Sequence, residues 1–151
     1  PYVGAGIKIE HISLDQGLCV VSMGLNSLNK NIVGTQFGGS LYSMVDPFYM
    51  LMLMHQLGSH YVVWDKSSHI DFVAPGHSKV TARMKIPSAE IITIQELAKD
   101  GGAVFRDYSV DIVDEQQKVV ATVTKTLYIR LRKHSKSKDQ SIRIDTDADS
   151  A

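Results

Sequence analysis

One segment constrains the fold of this chain more than any other. Residues 41–54 predict a helix whose apolar side chains cover every face instead of a single stripe. Such a helix has to be buried on all sides, because any exposed face would leave apolar surface in water. Its apolar positions are Leu41, Tyr42, Met44, Val45, Phe48, Tyr49, Met50, Leu51, Met52, Leu53 and Met54.

This apolar region predicts a core element and not a membrane anchor. Gly38-Gly39, Asp46-Pro47 and His55-Gln56 interrupt it and leave too short an apolar run to span a bilayer. The 151 residues include 16 Lys and Arg against 16 Asp and Glu, so the net charge favours neither nucleic acid nor a membrane as a partner. A single cysteine, Cys19, on a predicted strand, and the lack of a signal-like end lead us to expect a reducing, cytoplasmic setting.

Six other segments predict β-strands, because apolar and polar residues alternate along them or β-branched residues dominate. A shorter segment, residues 88–100, predicts a surface helix with Ser88 as a possible N-cap and Gly101 as its stop. The predicted strands span residues 7–14, 18–25, 61–73, 79–86, 104–113 and 119–132.

These elements leave few architectures, since a helix of about five turns that is buried all round needs a sheet curled around it. We therefore predict an α+β fold for residues 1–133, with a six-stranded antiparallel sheet wrapped around one long central helix. A helix on an open sheet is the alternative, and a partner subunit would then cover its outer face. Both arrangements favour a homodimer or a dimer of dimers. Residues 134–151 are polar and predict a disordered tail.

Gly38 and Gly39 precede the central helix, where unpaired N–H groups and the positive end of the helix dipole coincide. Two glycines would let a ligand carbonyl approach these N–H groups, although they also suit a turn or close packing. Asp46 interrupts the apolar helix, and a carboxylate there must be paired, solvated by a cleft or protonated. Pro47 should kink the helix and so open a cleft, unless the kink only curves it around the core. Asp46 is thus either catalytic or structural.

The spacing of these residues bears on where a site could form. Asp46 follows Gly39 by seven residues, or about 10 Å along a helix that rises about 1.5 Å per residue. A reacting carbon must lie about 3 Å from its nucleophile and its oxygen about 3 Å from the N–H donors, so one carbonyl cannot reach both. This predicts that Asp46 of one chain serves the glycines of a two-fold partner.

Three motifs occur together in this chain: Asn31-Ile-Val-Gly-Thr-Gln-Phe37-Gly38-Gly39, then Asp46, and Ile70-Asp-Phe-Val-Ala-Pro-Gly76. The combination resembles the phenylacetyl-CoA thioesterase group of hotdog proteins, which has His at the position of Phe37. Residues 4–7, 34–53 and 63–66 also resemble a bacterial hotdog family of unassigned function that is described as thioesterase-like.

The resemblance implies a hotdog fold and hydrolysis of an acyl thioester, with coenzyme A as part of the substrate and no separate cofactor. It implies that Asp46 activates water or attacks the carbonyl, that Gly38 and Gly39 supply an oxyanion hole, and that Asn31 holds the nucleophile or substrate. Phe37 cannot donate a hydrogen bond, which favours the alternative of a non-catalytic module that binds acyl groups or coenzyme A. The six histidines lack metal-ligand spacing, so we predict no metal site.

The third strand adds a lysine to the candidate site. Alternation places Lys66 and Ser68 on the face that Trp64 and Phe72 share, toward the central helix. Lys66 would then pair with Asp46 or contact a ligand phosphate or carboxylate, unless it pairs across strands or a β-bulge reverses the facing. The residues that we predict to bind the substrate are Phe37, Tyr42, Lys66 and Ser68.

Overall fold

The computed structural model describes residues 2–132, and the predicted polar tail at 134–151 lies outside the described residues. Within this range the chain forms one six-stranded sheet and several helices. In chain order the elements are α1 (Tyr2–Ala5), β1 (Ile7–Ser13), β2 (Leu18–Met23), α2 (Gly38–Ser43), α3 (Phe48–Leu57), β3 (Tyr61–Phe72), β4 (Val80–Lys85), α4 (Ser88–Ala98), β5 (Ala103–Asp114) and β6 (Val119–Leu131).

The sheet has the order β1-β2-β4-β5-β6-β3, and all its neighbouring strands are antiparallel. The six strand predictions are confirmed to within two residues at each end, because alternation marks a half-buried strand directly. Along β6, for example, Val123, Leu127 and Ile129 are fully buried on the inner face. The two edge strands are β1 and β3, and β3 pairs only with β6.

The central apolar segment forms two consecutive helices, α2 and α3, and not one continuous helix as predicted. The N–H groups of Val45 and Asp46 donate to carbonyls three residues back, as in a tight turn. Pro47 has no N–H to donate, and α3 begins directly after it. The kink predicted at Pro47 is therefore a break, and Asp46 lies within it.

The sheet and the two helices form a hotdog fold, in which the strands curl around the central helical segment. Met52 and Leu53 on α3 are fully buried, but Leu51 is 39% exposed and Met54 is 48% exposed. Within one chain the sheet does not bury this stripe, because the six strands do not close around α3. A single chain therefore leaves an apolar stripe of α3 in contact with water.

Helix α4 confirms the predicted surface helix, with Ile94 and Ala98 buried against the core. Ser88 is its first residue and not its N-cap. That position belongs to Pro87, whose extended backbone leads into the helix without a side-chain cap. None of the helices within residues 2–132 combines the length and apolar character that crossing a membrane requires. Cys19 is fully buried in β2, and this burial raises the pKa of its thiol to about 11.

Candidate active site

The loop before α2 is held in shape by the side chain of Asn31. Its Oδ1 accepts hydrogen bonds from the N–H groups of Val33 at 3.1 Å and Thr35 at 3.0 Å. Its Nδ2 donates to the Thr35 hydroxyl at 2.8 Å. Asn31 thus fixes the loop that delivers Gly38, and the structure does not bring its side chain to Asp46.

Gly38 and Gly39 form the first turn of α2, as the sequence predicts. The N–H groups of Ser40 and Leu41 donate to the Phe37 carbonyl at 2.9 and 3.1 Å. The N–H groups of the two glycines precede them, and no carbonyl of the same helix can reach these. They are therefore the donors that the start of α2 offers to a ligand.

Two phenylalanine rings pack directly against the glycines. A Cβ atom at Gly38 would lie 2.8 Å from the Phe72 ring, and one at Gly39 would lie 2.6 Å from the Phe37 ring. Contacts this short exclude any larger residue unless a ring moves. Both rings are more than half exposed, so they flank the glycine N–H groups at the protein surface.

A cavity of about 420 Å³ opens beside Gly38. The loop before α2 forms one wall, and the end of β3 with the turn after it forms the other. Its surface combines apolar side chains with backbone and amide groups. The residues that line it include Asn31, Gln36, Gly38, Leu41, Phe72 and Pro75.

Asp46 opens into a different groove, of about 490 Å³, which Tyr2, Ser43 and Pro47 also line. Its side chain is 45% exposed although its neighbours on α3 are buried. Within one chain, therefore, Asp46 and Gly38 face separate cavities. This separation agrees with the spacing argument that one carbonyl cannot contact both residues.

The partner of Asp46 is Lys125, a fully buried residue of β6. Its Nζ lies 2.9 Å from Asp46 Oδ1 and 2.9 Å from Asp65 Oδ2. It also donates to the main-chain carbonyl of Asp46. An ammonium group has three N–H donors, so these three acceptors satisfy it completely.

These contacts set the charge of Asp46. Burial alone would raise the pKa of its carboxyl group. Hydrogen bonds from Lys125 and Tyr42, together with the positive charge of Lys125, outweigh burial and hold the pKa below its ordinary value of 3.8. Asp46 is therefore ionised at neutral pH. The Tyr42 hydroxyl also contacts Ser68, so the structure brings Tyr42, Ser68 and Asp46 together.

Lys66 does not join this cluster, because a β-bulge between Asp65 and Ser67 reverses the facing of β3. Asp65 and Ser68 point inward, opposite Leu127 and Lys125 of β6. Lys66 and Trp64 point outward, and the Lys66 Nζ lies 6.0 Å from the centre of the Phe105 ring. The outward facing of Trp64 and Lys66 corrects the prediction that they face the central helix together with Ser68 and Phe72.

Sequence reasoning missed Lys125 and Asp65. The alternation in β6 assigns the odd-numbered residues from 119 to 131 to the inner face, and Lys125 occupies one of these positions. A lysine at a predicted core position requires an anion, and Asp46 was the unpaired buried carboxylate. Asp65 gave no such signal, because its inward facing depends on the bulge.

Solved structures similar to this chain include several thioesterase-like hotdog proteins. A Pseudomonas aeruginosa protein of unknown function, described as a probable thioesterase, aligns with a TM-score of 0.76 at 19% identity over 85% of each chain. A Haemophilus influenzae thioesterase aligns with a TM-score of 0.64 at 20% identity, over 88% of this chain and 85% of that one. The Escherichia coli PaaI protein, from the phenylacetic acid degradation operon, gives 0.58 at 26% identity, over 84% of this chain and 86% of PaaI.

These likenesses confirm the hotdog fold and the resemblance to thioesterase-like proteins. No curated protein matches the chain in sequence. A family model described as a domain of unknown function, DUF4442, matches residues 1–129. With most of its length matched, this chain belongs to the DUF4442 family.

Proposed function

We propose that the protein hydrolyses acyl thioesters, either of coenzyme A or of an acyl carrier. The observation that carries this proposal is Asp46, an ionised and half-exposed carboxylate in a break of an otherwise apolar helical segment. A carboxylate held in this way can serve as a general base or as a nucleophile. The likeness in fold to proteins named thioesterases is consistent with this chemistry.

Two routes fit the residues. Asp46 either removes a proton from water as the water attacks the thioester carbonyl, or attacks the carbonyl itself and forms an anhydride that water then cleaves. In both routes negative charge develops on the carbonyl oxygen, and the N–H groups of Gly38 and Gly39 would stabilise it. The thiolate leaves readily without a separate general acid.

A homodimer that pairs the β3 edges would unite the two parts of the site. Asp46 and Asp65 share the ammonium of Lys125, and Asp65 lies in the first half of β3. Gly38 packs against Phe72, which ends β3 seven residues after Asp65, or roughly 23 Å along the strand at about 3.3 Å per residue. Antiparallel pairing around an axis near Ser68 would place Asp65 of one chain beside the partner's Phe72. Neighbouring strands lie about 4.8 Å apart, so Asp46 would then approach the partner's Gly38.

The cavity at Gly38 would hold the part of the substrate next to the carbonyl, between Leu41 and Phe72. Phe37 would contact the substrate beside Gly39, and Tyr42 and Ser68 would do so beside Asp46. Lys66 on the outer face of β3 remains accessible to a ligand phosphate. These four contacts are part of the proposal.

Phe37 favours a second candidate function, a module that binds acyl thioesters without hydrolysing them. Its ring lies against Gly39, at the position where the thioesterase group that the motifs resemble has His. Phe cannot donate a hydrogen bond to a substrate or an intermediate. The two functions differ in turnover and not in the ligand that they recognise.

Release of free thiol from a panel of acyl-CoA and acyl-carrier thioesters tests the proposal. We expect the wild-type protein to release thiol, and Asp46→Asn to lower the rate by at least about 100-fold while the protein stays folded. Asp100→Asn, which changes an exposed carboxylate after α4, is the matched control and should keep wild-type activity. Tight binding of a thioester with no release of thiol would support the binding module instead.

A further inference from the structure

Lys125 is the least expected residue of the inner sheet face. It is fully buried, and its neighbours on that face of β6 are Val123 and Leu127. Removing an ammonium group from water is costly unless anions and hydrogen-bond acceptors replace the water. An apolar residue would fill this position at lower cost, so the lysine calls for a reason beyond packing.

The contacts of Lys125 concentrate on a single residue. Two of its three acceptors belong to Asp46, namely the carboxylate and the main-chain carbonyl. These bonds fix both the side chain and the backbone of Asp46 at the break between α2 and α3. The third acceptor is the Asp65 carboxylate on β3. Because Lys125 has no exposed surface, it has no access to a substrate.

We propose that Lys125 is a positioning residue that orients the Asp46 carboxylate for its reaction with the thioester, and that Asp65 moderates this role by sharing the ammonium. The inference rests on the proposed hydrolase function. It assigns a role in the site to two residues whose side chains the substrate need not touch.

The charged and hydrogen-bonding groups around Asp46 determine how removal of Lys125 or Asp65 should change the pKa of Asp46. Lys125 faces it from β6, Tyr42 from α2 and Tyr2 from α1, while Asp65 on β3 shares the ammonium of Lys125. Lys125 is the only cation among these four groups. Its removal leaves burial as the main influence on the Asp46 carboxyl group and should raise the pKa. Removal of the Asp65 charge leaves the ammonium to Asp46 alone and should lower the pKa.

Two variants give opposite expectations. In Lys125→Met the acid limb of kcat/KM should move to higher pH and kcat should fall by about 100-fold, because the carboxylate loses its orientation. KM should stay within about twofold, since a buried residue does not bind the substrate. In Asp65→Asn the acid limb should move to lower pH. Lys118→Met, at an exposed position before β6, is the matched control. It should change neither kcat nor the pH at which kcat/KM falls in acid.

Carbon-13 NMR titration of the Asp46 carboxyl group supplies a readout that does not depend on activity. The pKa should rise in Lys125→Met and fall in Asp65→Asn relative to the wild type. Should Lys125→Met not fold, the titration of Asp65→Asn decides alone. An unchanged Asp46 titration in the folded variants would overturn the proposal. Wild-type protein that releases no thiol would instead refute the hydrolase function, whatever the titrations show.

Discussion

The Lys125 ammonium lies 2.9 Å from the Asp46 carboxylate, although 79 residues separate the two in sequence. Through the same nitrogen, β6 is joined to the break between α2 and α3 and to Asp65 of β3. Within residues 2–132 the central helical segment breaks between α2 and α3, and Lys125 thus connects this break to β6 and β3, the two strands at one edge of the sheet.

Activity should resist acid. The pKa of Asp46 is lowered, so its base form persists below the ordinary carboxyl range. We expect kcat/KM for thioester hydrolysis to stay level from neutral into mildly acidic pH, and the midpoint of its fall in acid to lie below the ordinary carboxyl value of 3.8. The measurement is thiol release across this range, with folding monitored by circular dichroism at each pH. A midpoint near pH 6 in a folded protein would contradict the role of Asp46.

Alanine at Gly38 should impair activity more than stability. Its Cβ would lie 2.8 Å from the Phe72 ring, and this ring can move because it is 62% exposed. The new methyl group would narrow the cavity at the glycine N–H groups, and we expect kcat/KM to fall by about 10 to 100-fold. Gly102→Ala is the control, because nothing lies within 4 Å of a Cβ atom there. Equal activity of the two variants would show that the substrate does not need the space beside Gly38.

Mixed dimers test whether two chains share each site. Asp46→Asn and Gly38→Val should each be inactive alone. A mixed dimer of the two would contain one site with the intact Asp46 of one chain and the intact Gly38 of the other. Random mixing should therefore restore about one quarter of the wild-type activity. No recovery, in a preparation shown by mass spectrometry to contain mixed dimers, would place both residues of a site in one chain.

The Glu90 carboxylate should stabilise the fold through its contacts with β5. Arg106 donates to it through two nitrogens at 2.7 and 2.9 Å, and the Tyr108 hydroxyl donates at 3.0 Å. We expect Glu90→Gln to lower the free energy of unfolding at pH 7 by about 1 to 3 kcal/mol, measured by urea denaturation.

The pH dependence of this effect follows from the Glu90 pKa. The hydrogen bond from Arg106 lowers the pKa of Glu90 below its ordinary value of 4.5. A depressed pKa in the folded state gives stability that is present above the unfolded value and is lost as pH falls through the folded value. The difference between Glu90→Gln and the wild type should thus shrink below pH 4.5. Glu115→Gln, in the exposed turn before β6, is the control. If the difference in unfolding free energy between Glu90→Gln and the wild type did not change with pH, the Glu90 carboxylate would not be its source.

The strands and the glycine pair could be predicted because their signals are local. Alternation or runs of β-branched residues located all six strands, and Gly38 lies at a helix start as expected. The break at Asp46 was only partly foreseeable. Pro47 signals a lost hydrogen bond, but whether a helix bends or stops there depends on its packing.

The partner of Asp46 depends on a non-local feature. The bulge inserts one residue into β3 and so turns Lys66 outward and Asp65 inward. A single extra residue leaves no distinct pattern in a strand, and strict alternation therefore selects the wrong lysine. The inward position of Lys125 was visible in the alternation of β6, whereas its distance from Asp46 became evident only in the folded chain.

Two carboxylates share one ammonium beneath the Asp46 groove, and the ion pairs within residues 2–132 supply no second cation there to match the remaining negative charge. An acyl group that itself ends in a carboxylate, such as that of a dicarboxylic acid, would be repelled at this end of the site. Neutral acyl chains would meet no such penalty. In the proposed hydrolase, Lys125 would thus orient the Asp46 carboxylate and also leave an uncompensated negative charge that selects against acidic acyl groups.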